Sequence, residues 1–254
     1  MLNSQAADSR GVTPRQLIIN ADDFGLSIQT NRGIIQCRQQ GVLTSASLMV
    51  RAPAAPQAAH YAAGDPGLSL GLHVELGQWD LHEGQWVQTQ FVVPLDNPTA
   101  VQDEIYRQIE MYRNLTSHNP AHLDSHQHVH QQEPVKGLMR RLAADLGVVL
   151  RGDSQTVRFQ GAFYGQDENL QPQPEFIAVA NLIRLLDKLQ PGITELSCHP
   201  GLDDQLNSNY RDQRRLEVQT LCDPAVRKAI NQRQIELISF AVLRPDLNLR
   251  RFAP

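Results

Sequence analysis

The stretch Leu17-Ile18-Ile19-Asn20-Ala21-Asp22-Asp23-Phe24-Gly25 decides how this chain is read. An apolar run stops abruptly at two adjacent carboxylates. Such a run predicts a buried strand that delivers Asp22 and Asp23 to its carboxyl end, where Gly25 permits a sharp turn. Neighbouring side chains on an extended segment point to opposite sides, so the two carboxylates are expected to do different work. One can hold a cation while the other stays free as a base. The competing reading is a strand-to-helix turn with an Asp cap.

Outward from this stretch, strand-like apolar runs alternate with helical patterns almost to the end of the chain. Strands are expected at 17–21, 44–50, 69–75, 121–125, 148–151, 193–198 and 235–240. Helical spacing is expected at 28–40, 54–63, 99–117, 134–146, 176–189 and 218–232. In the third of these, Val101, Ile105, Ile109 and Tyr112 share a face, and in the fourth Val135, Leu138, Met139, Leu142 and Leu146 do. Segments 76–97 and 152–174 keep no period and read as loops. The alternation predicts an α/β fold, a parallel sheet covered by helices and closed or nearly closed into a (β/α) barrel. An open doubly wound sheet is the alternative. No Gly-rich dinucleotide fingerprint or phosphate loop follows the first strand, which speaks against it. The expected organisation is a flexible tail at 1–16 and a single domain at 17–254.

Composition narrows the function classes. A net charge of −4 over 254 residues gives no electrostatic reason to expect nucleic acid. Lys and Arg are scattered, and the pairs Arg140-Arg141 and Arg214-Arg215 read as solvated helix faces. Cys37, Cys198 and Cys222 form no pair motif, which suits free thiols in a reducing compartment. No stretch approaches the ~20 apolar residues of a membrane span, and residues 1–16 lack the apolar core of a signal peptide. The expectation is a soluble, cytoplasmic protein, with a homodimer as the default assembly.

Four polar clusters fall at the carboxyl ends of expected strands: Asp22-Asp23, His73 with Glu75, the tract from Asp124 to His130, and Cys198-His199-Pro200-Gly201. In a parallel barrel these ends share one face, where active sites are built. The tract His122-Leu123-Asp124-Ser125-His126-Gln127-His128-Val129-His130 has its polar residues at one parity, hence on one face if extended. Residues two apart on a strand are separated by roughly 6.6 Å, so they cannot all hold one ion. One or two of them can be ligands, and Asp124 suits a supporting hydrogen bond to a ligand. A loose His-rich surface is the simpler alternative. A mixed Asp/His/His set leaves positions open for water, as catalytic metal sites do. Cys198 and His199 face opposite sides of a strand, so Cys198 reads as a buried structural thiol rather than a nucleophile.

Taken in order, Asn20-Ala21-Asp22-Asp23-Phe24-Gly25, Gly71-Leu72-His73, the 122–130 tract and Cys198-His199-Pro200 resemble the signatures of YdjC-like carbohydrate deacetylases. That group includes chitooligosaccharide deacetylases and relatives associated with hopanoid biosynthesis. Thr44-Ser45-Ala46-Ser47 and Ala162-Phe163-Tyr164-Gly165 also resemble family positions. The resemblance implies a distorted α/β barrel that binds a divalent metal, Mg²⁺ or Zn²⁺, and removes acetyl groups from N-acetylated sugars or oligosaccharides. It implies Asp23, His73 and His126 as metal ligands and Asp22 as general base. His199 corresponds more loosely to a general acid. His128 competes with His126 as ligand, because parity does not separate them. Asp124, His128, Arg151, Phe163 and Tyr164 are candidates for substrate contact, with pairing to an active-site carboxylate as the other reading of Arg151. Trp79, Trp86, Phe163 and Tyr164 are candidates for stacking on a sugar ring or for ordinary anchoring of their loops. The rivals are a metal-dependent hydrolase of a non-sugar amide or ester, and a non-catalytic sugar- or metal-binding protein.

Overall fold

The computed structural model describes residues 13–206 and 208–243. Its central strand is β1 (Arg15–Phe24), buried along nearly its whole length. Residues 1–12 of the expected tail lie outside the described residues, and Arg15 and Gln16 already belong to this strand. Parallel partners flank it on both sides. On one side β9 (Gly192–Cys198) runs beside it from Arg15 to Ala21. The other side is shared. There β10 (Ile235–Leu237) pairs with Arg15–Leu17, and β2 (Ser45–Leu48) pairs from Asn20 onward. Beyond β2 come β3 (Ser69–Val74), β6 (His122–Ser125) and β7 (Val149–Leu150); beyond β9 comes β8 (Val157–Gln160). The order β7-β6-β3-β2-β1-β9-β8 is parallel throughout, and it curls into a barrel whose seam lies between β7 and β8.

Helices α1 (Ile28–Gln40), α2 (Ala55–Gly64), α3 (Pro98–Thr116), α4 (Val135–Leu146), α5 (Val179–Asp187), α6 (Arg211–Cys222) and α7 (Pro224–Gln232) cover the outside. Their apolar stripes and the outward residues of the strands make one large core; Leu17, Ile19 and Ala21 of β1 enter it beside Ile34, Val218 and Leu221. Ser27 caps α1 by accepting from the Thr30 amide at 3.0 Å, and Asn97 caps α3 through the Ala100 amide. The expected helix at 218–232 is two helices, because Asp223-Pro224 ends one and starts the next. The expected helix at 176–189 begins as a 3₁₀ turn, Pro174–Ile177.

Two expected loops hold structure. Within 76–97, β4 (Gly77–His82) and β5 (Gln85–Phe91) form an antiparallel hairpin separate from the main sheet. Polar residues alternate poorly there because β5 is exposed on both faces. Within 152–174 lies β8, whose four residues were too short a run to read.

Alternation along the strands divides the barrel interior into two zones. At its amino-terminal end Ile18, Ala121, Val157, Ile238 and Phe240 form a small apolar plug. Above it the inward positions are polar and buried: Asn20 and Asp22 of β1, Ser45 and Ser47 of β2, His73 of β3, His122 and Asp124 of β6, and Glu195 of β9. The His122 ring stacks on Phe240 at 3.9 Å and donates or accepts at Ser47 Oγ over 2.9 Å, joining the two zones. Burial pushes its pKa down to about 4, so it is neutral.

The carboxyl-terminal rim is held by a close approach of backbone. A Cβ on Gly33 of α1 would lie 2.6 Å from the Cα of Gly201, with main chain on both sides. Helix propensity favours alanine over glycine by about 1 kcal/mol, but main chain cannot step aside as a side chain can. Gly33→Ala is therefore expected to destabilise by about 1–3 kcal/mol, read as a lower urea midpoint by circular dichroism. An unchanged midpoint would show that this contact is slack.

Candidate active site

The register of β1 against β2 shifts between Ala21 and Phe24, where Asp23 adopts a left-handed φ of 64°. This bulge re-aims Asp23 to the barrel mouth, so two carboxylates on consecutive residues converge on one site. The turn beyond is fixed by Asn31, whose Oδ1 accepts from the Gly25 amide at 2.7 Å. Asp22 and Asp23 are both buried.

Asp22 is clamped from within the barrel. Arg151, directly after β7, donates Nη1 to Asp22 Oδ2 and Nη2 to Asp22 Oδ1, both at 2.6 Å. The same guanidinium reaches Asp124 Oδ2 at 2.8 Å and Glu195 Oε1 at 2.8 Å through Nε. Asn20 Nδ2 adds a bond to Asp22 Oδ1 at 2.9 Å, and Ser47 Oγ donates to Asp124 Oδ2 at 2.6 Å. Burial raises the pKa of Asp22, but the field of Arg151 outweighs it and the carboxyl is held below its ordinary value. Glu195 goes the other way: burial lifts it to about 7 despite the arginine. Its Oε2 has no partner, consistent with a carboxyl that holds a proton.

Asp23 is the centre of a second set. Its Oδ1 lies 3.3 Å from His73 Nε2 and 3.3 Å from His126 Nδ1, yet accepts no hydrogen bond. Each ring is held at its other nitrogen. His73 Nδ1 meets Asp124 Oδ1 at 2.7 Å, and His126 Nε2 meets Gln78 Oε1 of β4 at 2.7 Å. Both outer partners are acceptors, so each ring keeps a proton there, and the nitrogen toward Asp23 is the one left to exchange a proton for a cation. Asp23 Oδ2 is taken by Arg214 of α6 at 2.5 Å. Burial alone raises the pKa of Asp23, but Arg214 and the two imidazoles hold it well below its ordinary value.

This set fits a divalent cation. Its three ligand atoms lie within 4.8 Å of one another, one from each side chain, and an unpartnered buried carboxylate oxygen is among them. The surroundings also favour positive charge there. Burial pushes His73 down, but Asp124, Asp23 and Asp22 raise it to about 10, so a proton gathers where an ion would sit. Asp22, His73 and Asp124 also lie within reach of one another, but Arg151 already occupies both carboxylates.

The opposite wall carries His199, whose Nε2 lies 3.6 Å from Asp22 Oδ2. Burial pushes its pKa down to about 4, so the ring is neutral, and its Nδ1 makes no hydrogen bond. The His199 amide donates to Glu217 Oε2, and Tyr210 Oη donates to Glu217 Oε1 at 2.5 Å. Burial lifts Glu217 to about 8. The Tyr210 ring is stacked under Tyr164 at 4.5 Å, and both rings meet His199 edge-on.

The family model for YdjC-like proteins matches residues 16–232, nearly the whole described chain. The chain belongs to the YdjC-like family. A chitooligosaccharide deacetylase of Serratia marcescens is 31% identical over 255 residues, spanning 88% of this chain and 97% of that relative. Among solved structures, an Enterococcus faecalis protein provisionally named for cellobiose-phosphate cleavage superposes with a TM-score of 0.74 at 26% identity. That likeness covers 91% of this chain and all (100%) of the other. A peptidoglycan N-acetylglucosamine deacetylase superposes with a TM-score of 0.59 at 13% identity, over 94% and 92% of the two chains, which speaks for the fold alone.

In this YdjC-like chain the residues singled out from sequence divide into two groups. Asp22, Asp23, His73, His126 and His199 come together at one barrel mouth, with Tyr164 on its wall. The others are placed elsewhere. Asp124 and Arg151 are fully internal, their polar atoms spent on each other, Asp22, His73 and Glu195. Phe163 is 0% exposed and packs in the core, leaving no face for a sugar. His128 is not a rival ligand. The strand ends at Ser125, and residues 126–131 form a tight turn with Gln127 and His128 at φ of 49° and 54°. Parity is lost at that point, and His128 swings to Phe159, 5.5 Å between ring centres.

Arg214 corrects the reading of a solvated face: it is 5% exposed and bound to Asp23, while Arg215 beside it meets Asp204 at the surface. Its signal was present, since Arg214, Glu217, Val218 and Leu221 fall at i, i+3, i+4 and i+7 and are all buried. Glu195, a lone charge inside an apolar strand, was equally readable. Gln78 was not, because nothing marks one glutamine among several in a segment without a period. Cys198 is a buried thiol donating to the Asn20 carbonyl at 3.3 Å, as its place beside His199 predicts.

Arg151 bridges the three buried carboxylates Asp22, Asp124 and Glu195. Arg151→Met is expected to lower the stability of the YdjC-like fold by about 3–5 kcal/mol, since it strands buried carboxylates. Chemical denaturation at neutral pH measures this, and a loss below about 1 kcal/mol would place it with exposed pairs instead.

Proposed function

We propose that this protein is a metal-dependent carbohydrate N-deacetylase acting on N-acetylated sugars or short oligosaccharides. One observation carries the reading: the buried, unpartnered Asp23 Oδ1 between His73 Nε2 and His126 Nδ1, with the Asp22–His199 pair beside it. Relatives named chitooligosaccharide deacetylases, matched along almost their whole length, supply the substrate class.

Asp23, His73 and His126 would hold the ion, with Asp124 and Gln78 orienting the two rings. A divalent cation held there would supply Lewis acidity toward an acetyl carbonyl and a water. The protein's own groups handle the protons. Asp22 accepts the proton of the attacking water, and Arg151 keeps its carboxylate ionised and aimed. An amine leaves poorly unless protonated. His199 stands on the other side of Asp22 and starts neutral, so the proton taken by Asp22 is the one available to the leaving nitrogen. Tyr164, half-buried on the His199 wall, presents a ring edge to a sugar.

The test is acetate release from N-acetylglucosamine oligomers and from a panel of non-sugar amides and esters, with and without divalent metal. Metal-dependent release from the oligomers is expected. Release from the non-sugar panel alone would assign the substrate to the rival hydrolase class. Asp22→Asn is expected to reduce kcat by about 10²–10⁴ while metal still binds, whereas His73→Ala loses the metal itself. Binding of oligomers with no turnover in the wild type would favour a non-catalytic sugar-binding protein. Two imidazoles and a carboxylate suit Zn²⁺, Mn²⁺ or Co²⁺, and Mg²⁺ if waters complete the sphere. Elemental analysis of protein purified without added metal identifies the ion.

A further inference from the structure

Gln78 belongs to a hairpin that takes no part in the barrel, yet it holds one of the three groups facing the cation position. The β4–β5 hairpin leaves the rim after β3, and β5 is exposed along its length, with Trp86 56% and Phe91 68% accessible. Its inner strand is bolted to the 126–131 turn in two places. Gln78 Oε1 meets His126 Nε2 at 2.7 Å, and the side-chain amide of Gln127 matches both backbone groups of Trp79. Trp79 N donates to Gln127 Oε1 at 2.8 Å, and Gln127 Nε2 donates to the Trp79 carbonyl at 2.7 Å. The Gln127 side-chain amide thus stands in for the backbone of a neighbouring strand at Trp79. It is also the segment with two consecutive left-handed residues, Gln127 and His128, a conformation that persists only where surrounding contacts impose it.

The chemistry of the Gln78 contact is one-directional. Gln78 Nε2 faces the Trp79 carbonyl at 3.4 Å, so its oxygen is the end presented to the imidazole. An acceptor at Nε2 keeps a ring proton there and leaves Nδ1, toward Asp23, to exchange a proton for a cation. His73 receives the same service from Asp124, but that carboxylate is buried in the barrel and fixed by Arg151 and Ser47. His126 instead depends on a neutral acceptor carried by an exposed hairpin. The two imidazoles are therefore oriented by elements of very different rigidity.

We propose that Gln78 is the positioning residue for His126, so that docking of the β4–β5 hairpin and occupation of the metal position stabilise each other. The inference rests on the Asp23/His73/His126 metal reading. Linkage makes the coupling reciprocal: if the docked hairpin raises metal affinity, bound metal must favour the docked hairpin by the same factor.

The experiment titrates the full-length, chelator-treated protein with Co²⁺, following the visible absorption of the ion, for wild type, Gln78→Leu and Gln78→Glu. Gln78→Leu keeps the size of the side chain and removes the acceptor, whereas Gln78→Glu keeps an acceptor. Gln78→Leu is expected to bind Co²⁺ about 10–100-fold more weakly with an altered spectrum, and Gln78→Glu to restore tight binding. Hydrogen exchange over residues 77–91 should slow on adding Co²⁺ to the wild type and not to Gln78→Leu. Wild-type affinity and spectrum in Gln78→Leu would overturn the coupling alone, as would equal weakening in both variants. No Co²⁺ binding by the wild type would overturn the metal reading and the coupling with it.

Discussion

One guanidinium inside the barrel organises this protein. Arg151 enters at the seam, just past β7, and its nitrogens bind carboxylates from β1, β6 and β9. A barrel can fill its interior with apolar layers, and at the amino-terminal end this one does so with Ile18, Val157, Ile238 and Phe240. Above that plug, hydrophobic packing gives way to charge. Each of Asp22, Asp124 and Glu195 loses its water on folding, a penalty of several kcal/mol per ion that only short, multiple bonds offset. One arginine cannot neutralise three carboxylates, and the remainder settles in two ways. Burial lifts Glu195 to about 7, which eases its negative charge, and the surrounding carboxylates raise His73 to about 10, which favours positive charge at the barrel mouth. The cation affinity proposed for that mouth would thus follow from how the interior balances its charge.

What the sequence revealed, and what it hid, follows from which interactions are local. The strand ending in Asp22-Asp23 and the strands ending near His73, Ser125 and His199 were legible because each is an apolar run stopped by polar residues. Their shared face followed from the topology of a parallel barrel. Parity failed at Ser125, where extended backbone ends. Nothing local forces Gln127 and His128 into left-handed conformations; the hairpin contacts of Gln127 support them, and those come from residues some fifty positions earlier. At a strand end Arg151 reads equally as a substrate contact or as the partner of an active-site carboxylate, and Asp124 as a supporting bond to a ligand. The structure pairs Arg151 with Asp22 and Asp124 with His73, and that pairing is what makes their burial tolerable. Phe163 reads from sequence as a sugar platform or as a loop anchor, because an aromatic side chain in a loop has no signature separating the two; the structure buries it as an anchor. Arg214 was lost in a doublet whose members face opposite ways on α6.

The adjacent aspartates show how a fold gives one residue type two different environments. Both are buried, both are held below the ordinary carboxylate value, and each is bound to its own arginine. Arg151 approaches Asp22 from the barrel axis and engages both of its oxygens. Arg214 approaches Asp23 from α6 and engages one, leaving Oδ1 toward the two imidazoles. The bulge that turns Asp23 away from strand geometry is what lets two arginines reach neighbouring residues from different sides.

That division constrains the chemistry in turn. A carboxylate with both oxygens occupied and a lowered pKa is a poor acceptor for a proton from ordinary water, whose own pKa is near 15.7. On the proposed reading Asp22 is a competent base only toward a water already acidified beside it, and among the described residues the Asp23/His73/His126 set suits such a water. On the proposed reading, base and cation site are therefore interdependent. Arg151 makes Asp22 too weak to act alone, and the same electrostatic arrangement that weakens it gathers positive charge where help must come from. On that reading Asp22 stays inert toward solvent water until the cation is in place.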